Sequence, residues 1–124
     1  MKNSPRAKLD MGLEHHKAGR LEKAKDIYRK ILSTSPKNAE ALHLMGLAVH
    51  HGGQNEQAVE YITSAINNDQ GNVKYHNNLG IVYLALDKNS DASKCFKNAL
   101  EIDPNSTNAH FNLGLVMVAR EDYE

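Results

Sequence analysis

The sequence predicts an all-α solenoid of stacked helix pairs, and three periodic sets of residues predict it. Gly12, Gly46, Gly80 and Gly114 stand 34 residues apart. Ala24, Ala58 and Ala92 keep the same interval, twelve residues after the first three glycines. Ser4, Asn38, Asn72 and Ser106, all side chains suited to helix starts, fall on it as well. Within each unit an aromatic or aliphatic follows Gly at +16 (Tyr28, Ile62, Phe96) and another apolar residue at +19 (Ile31, Ala65, Ala99).

The first unit, residues 5–38, opens with Ser4 offering an oxygen to free helix amides and Pro5 at the first helical position. Leu9, Gly12, Leu13 and His16 recur at helical spacing, which predicts a helix to about Lys17. Ala18-Gly19 breaks it, and a second helix is expected from about Arg20 to Ser33, with Leu21, Ala24, Ile27, Tyr28, Ile31 and Leu32 as its inward stripe. Pro36 stops that helix and Asn38 caps the next. Residues 39–72 repeat the order with a Gly52-Gly53 break, and residues 73–106 with a break at Asp87-Lys88. Pro104 ends the third unit as Pro36 ends the first, whereas Gln70 holds that place in the second. Residues 107–124 supply one more first helix, Thr107 to about Arg120. A helical Gly costs about 1 kcal/mol relative to Ala, so four in one register imply close helix packing, with the alanines expected on the approaching helix.

Composition narrows the function. Lys plus Arg is 15 and Asp plus Glu is 15, a balance that lacks the basic stripe of a backbone-tracking nucleic-acid binder. The single Cys95 permits no internal disulfide, the N-terminus lacks the apolar core of a secretory signal, and no apolar run would cross a bilayer. A cytoplasmic protein without membrane insertion is expected. Phosphate-loop, nucleophile-elbow and zinc-hydrolase motifs are absent, so the sequence predicts no enzyme and no cofactor. The adjacent pairs His15-His16 and His50-His51 invite a metal, with His16 and His50 at one repeat site. Zinc needs three or four converging ligands, and no Cys or compact His-x₃-His pattern supplies them, so no metal site is predicted. The imidazoles would instead make their surface more positive near pH 6.

The periodic Gly, Ala, aromatic and Pro positions resemble those of the tetratricopeptide repeat family over almost the whole chain. The resemblance implies a right-handed superhelix of about three and a half repeats, forming one domain whose first helices line a concave groove for a peptide or protein partner. Its groove positions correspond to Leu13, His43, Leu47, His50, Lys74, Asn77, Asn78, Ile81, Asn108, Phe111, Asn112 and Leu115, with Arg6, Leu9, Asp10, His16, Lys17, Glu40, Leu44, His51, Leu84, Ala85 and Val118 beside them. The row Leu13, Leu47, Ile81 and Leu115 either grips a ligand or completes helix packing. Asn78 and Asn112, each in an Asn-Leu-Gly triplet, are similar to the asparagine ladder of O-linked N-acetylglucosamine transferases, although Asp10 and Leu44 hold the two earlier rungs. Solvated helical asparagines are the alternative. The clamp that chaperone-binding members use for a terminal carboxylate falls here on Leu9, Leu13, Leu44, Lys74 and Asn78, and only Lys74 keeps the basic residue.

The final residues, Arg120 to Glu124, align with the opening of a second helix, two residues before its expected alanine. Leu113, Val116 and Met117 are therefore expected to face solvent. Either the chain is a piece of a longer protein, which the continued repeat pattern favours, or the open C-terminal helix self-associates. The functional expectation is a non-catalytic interaction module. The alternatives are the substrate-docking arm of a larger enzyme such as a glycosyltransferase, and a self-assembling scaffold.

Overall fold

A computed structural model describes residues 4–122, with side chains through Ala119. The predicted all-α helical-repeat fold is what the chain adopts: seven helices and no strand among the described residues. They fall into two compact units, one ending at Asp69 and the other beginning at Gln70. The first holds α1 (Pro5–Lys17), α2 (Leu21–Thr34), α3 (Ala39–His51) and α4 (Asn55–Asn68). The second holds α5 (Val73–Ala85), α6 (Asn89–Ile102) and α7 (Thr107–Asp122).

First helices start where the periodic polar residues predict. Ser4 Oγ accepts from the Ala7 amide at 3.1 Å, Asn38 Oδ1 from Ala41 at 3.0 Å, Asn72 Oδ1 from Lys74 at 3.1 Å and Ser106 Oγ from Ala109 at 3.2 Å. Each bond satisfies an amide that the helix leaves unpaired. Second helices have no side-chain cap; they follow Arg20, Gln54 and Lys88, one residue later than expected in the first two repeats and as expected in the third. At those three residues the amide donates five residues back, to the carbonyls of His15, Val49 and Tyr83, and this closes the turn. Such a turn needs one left-handed residue, and the chain supplies Gly19 (φ 82), Gly53 (φ 85) and Asp87 (φ 58) at 34-residue intervals. Glu121 falls at the fourth position, and there α7 stays helical through Asp122 where a break was expected. A residue with a long Cβ-bearing side chain gives the left-handed turn no help. Tyr123 and Glu124, part of the expected second-helix opening, lie outside the described residues.

Packing inside each unit explains the glycine register. A Cβ on Gly12 would overlap Tyr28 Cε1, one on Gly46 would stand 2.6 Å from Ile62 Cγ1, and one on Gly80 would overlap the Phe96 ring. Tyr28, Ile62 and Phe96 are fully buried, each contributing about 1.5–3 kcal/mol of apolar transfer. The alanines at +12 are fully buried as well, but the +16 residue is what lies over the glycine. Among the described residues nothing would lie within 4 Å of a Cβ on Gly114.

In the second unit the expectation for α7 needs correction. Val116 does not face solvent: it packs with Ala92 and Phe96, and Tyr83, Leu84 and Leu113 close around them. Helix α6 covers this side of α7, because Phe96 and Ala92 offer an apolar surface that a valine can enter. Met117 is exposed, as expected.

Candidate functional site

In the first unit the facing residues of α1 and α3 are largely engaged with one another. Arg6 Nη1 donates to both carboxylate oxygens of Glu40 at 2.8 Å, and its Nη2 stands 3.0 Å from Asp10 Oδ1. Both pairs are solvent-exposed, so they orient side chains more than they stabilise the fold. Leu9, Leu44 and His43 are buried within the helix packing, while Leu13, Leu47 and His50 are half-buried. The burial of His43 corrects its assignment as an open groove residue.

At the other end of the same helices, His16 Nε2 lies 2.6 Å from His51 Nδ1, with the rings edge to face. The contact joins residues 35 apart, one off the repeat, so periodicity alone did not find it. His50, the repeat-equivalent of His16, instead places Nδ1 2.7 Å from Asn55 Oδ1. Nδ1 of His16 is buried and lacks a partner among the described residues. A proton there would be an unsatisfied donor, so the economical tautomer has Nε2–H donating to His51 Nδ1. Burial first, and then the neighbouring His51, lowers the pKa of His16; burial and then His50 lower that of His51. Two imidazoles in a nitrogen-to-nitrogen hydrogen bond do not present both lone pairs to one ion. Among the described residues no group of three His, Cys, Asp or Glu side chains could hold a metal.

The second unit offers a different surface. Helices α5 and α7 run side by side, and each repeat position of one recurs on the other 34 residues on. Ile81 of α5 and Phe111, Leu115 and Val118 of α7 are exposed, Phe111 to 66 %. Lys74 and Asn108 are exposed at the N-terminal end of this face, and Asn78 is half-buried. Leu84 packs against the Val116 cluster and is not free for a ligand. Asn77 and Asn112 are buried, at 7 % and 8 % exposure, and Asn77 Oδ1 has no hydrogen-bond partner among the described residues. A buried amide oxygen without a donor costs about 1–3 kcal/mol, so Asn77 is expensive for the fold alone. Neither α5 nor residues 107–119 of α7 carry a carboxylate, so the face is apolar and amide-rich with a single lysine.

Cys95, the lone thiol, is buried in α6, and burial followed by Asp91 pushes its pKa up to about 12. Such a thiol stays protonated and unreactive. No described helix is long and apolar enough to cross a membrane.

Two tetratricopeptide repeat models match the chain, one over residues 15–80, more than half its length, and one over residues 73–106. The chain belongs to the tetratricopeptide repeat family. Among solved structures it is similar to an O-GlcNAc transferase of Thermobaculum terrenum, with 29 % identity and a TM-score of 0.85 over 90 % of this chain. The match spans 22 % of that transferase. It is also similar to the first repeat domain of Spaghetti (RPAP3) bound to an HSP90 peptide, with 23 % identity, a TM-score of 0.87, and 92 % and 90 % of the two chains covered. The Sgt2 repeat domain of Aspergillus fumigatus matches at 22 % identity and a TM-score of 0.89, covering 97 % and 82 %. A comparison with curated proteins found no match.

Proposed function

We propose that the chain is a non-catalytic protein-interaction module whose α5/α7 face takes an extended, uncharged segment of a partner protein. The observation that carries this reading is the exposure of four apolar side chains, Ile81, Phe111, Leu115 and Val118, on these two neighbouring helices. Apolar side chains of a ligand would bury against this set. Amides can donate and accept at once, which suits a peptide main chain, and Asn108 is exposed at the N-terminal end of this face. The corresponding α1/α3 surface is already spanned by the Arg6–Glu40 and His16–His51 contacts, so the second unit is the better receptor.

The HSP90 peptide of the RPAP3 neighbour does not carry over as a ligand. Three of the five clamp positions here are leucines, and Leu9 and Leu44 are buried. The alternative reading, a substrate-docking arm of a glycosyltransferase, draws on the Thermobaculum neighbour and on Asn78 and Asn112 at ladder positions. Selection from a random displayed peptide library tests the main proposal. The native chain should enrich uncharged, apolar-containing sequences, and Ile81→Asp should lose them while keeping its helical spectrum. Enrichment of acidic C-terminal sequences, or binding indifferent to Ile81→Asp, would sink it.

A further inference from the structure

The first unit carries a cavity on residues that the α1/α3 and α5/α7 faces do not use. The register four residues before each glycine holds Lys8, Leu42, His76 and His110. In the second unit the imidazoles at this register fold back onto the preceding turn. His76 Nε2 donates to the Gln70 carbonyl at 3.2 Å, and His110 Nε2 donates to the Pro104 carbonyl at 2.9 Å. Leu42 has no polar atom to do the same. Beside it a cavity of about 420 Å³ opens between α3 and α4. That lies within the range of about 300–1,000 Å³ usual for ligand pockets.

Its walls decide what it can hold. Leu42 gives an apolar side, and the rest comes from Gln57, Glu60, Tyr61 and Ser64 of α4. These four follow one helical stripe at i, i+3, i+4 and i+7, so a single face of α4 lines the cavity. The lining has one carboxylate, oxygen acceptors on Gln57, Tyr61 and Ser64, one aromatic ring and no cation. An anion would meet the Glu60 carboxylate with no cation to offset it. A purely apolar group would strand the acceptors. A guanidinium meets every requirement: its plane stacks on a tyrosine ring, its fork of donors matches a carboxylate, and its methylene stem lies on leucine. Lysine carries the charge without the plane. We propose that this cavity receives an arginine side chain of a partner protein, independently of the α5/α7 face.

Amide-resolved NMR titration of the whole chain with N-acetyl-arginine-N-methylamide, beside its neutral citrulline counterpart, tests the assignment. Shifts should concentrate on Gln57, Glu60, Tyr61 and Ser64, with the citrulline compound about three- to fivefold weaker, as an exposed ion pair allows. Glu60→Gln should bring the arginine compound down to the citrulline level. Leu42→Trp should fill the cavity, leave the thermal midpoint unchanged or raised, and abolish both responses. Ile81→Asp should change neither response, which separates this site from the proposed peptide face. Equal responses to the two compounds, an equal response to the lysine counterpart, or binding that survives in folded Leu42→Trp would each overturn the proposal. Should Leu42→Trp not fold, Glu60→Gln still decides it.

Discussion

Two glycines at one repeat position have opposite consequences. Gly80 sits under the Phe96 ring, so any Cβ forces a fully buried aromatic to shift. Gly80→Leu should lower the melting temperature sharply, and even Gly80→Ala should cost about 1–3 kcal/mol as an overpacked core. Among the described residues nothing crowds a Cβ on Gly114, so Gly114→Ala should instead stabilise the chain by up to about 1 kcal/mol through helix propensity alone. Thermal melts of the two alanine variants give the contrast, and equal shifts would refute the packing account. The repeat made the glycines visible in the sequence, but not which side chain covers them. That depends on how far each second helix rolls toward the first, which brings Tyr28, Ile62 and Phe96 into the space. Tyr28 adds a further residue-level consequence. Its hydroxyl is buried without a partner among the described residues, and burial pushes its pKa up to about 12. The unfolded chain ionises this phenol first, near pH 10, so its contribution is intact below that pH and is lost as pH rises toward 12. Tyr28→Phe should remove that alkaline loss and raise stability at neutral pH by about 1 kcal/mol, measured by denaturant unfolding on both sides of pH 10.

At the level of elements, helix starts were legible because Ser4, Asn38, Asn72 and Ser106 act through a local bond that needs no tertiary partner. The fate of α7 was less legible. Its break was expected from alignment, but at Glu121 the repeat lacks the Gly or Asp that occupies a positive-φ site in the other turns. The link between α1 and α3 escaped for another reason, since a contact one residue off the repeat has no periodic signal. That link sets an acid limit. His16 and His51 have pKa values below the ordinary 6.5, so the unfolded chain takes up protons first as pH falls. Their contribution is whole above about pH 6.5 and is lost as pH drops through the folded values. The expected gain of positive charge near pH 6 is thereby displaced to lower pH for this pair. Denaturation midpoints between pH 7.5 and 5 should fall less steeply for the His16→Ala, His51→Ala double variant than for the native chain. Parallel slopes would remove the pair as the cause.

For the whole molecule, charge and exposed surface act together. Fifteen cationic and fifteen acidic side chains cancel, so no net repulsion keeps copies apart. The α5/α7 face adds exposed Phe111, Leu115 and Val118, with Met117 also exposed on α7, and exposed apolar side chains of this size favour association. The same face is proposed to hold a peptide, so self-association and ligand binding should compete for it. Sedimentation at two concentrations should show the mean mass rising with concentration for the native chain. The double change Phe111→Ser, Leu115→Ser should hold it at the monomer value, since both residues are exposed and their loss leaves the Val116 cluster intact. A peptide recovered by library selection should return the native chain to the monomer mass at saturation, because any ligand that binds the free face draws the equilibrium toward it. A mass that rises with concentration but ignores that peptide would mean that copies meet elsewhere. The α5/α7 face would then keep its role as receptor and lose its role in assembly.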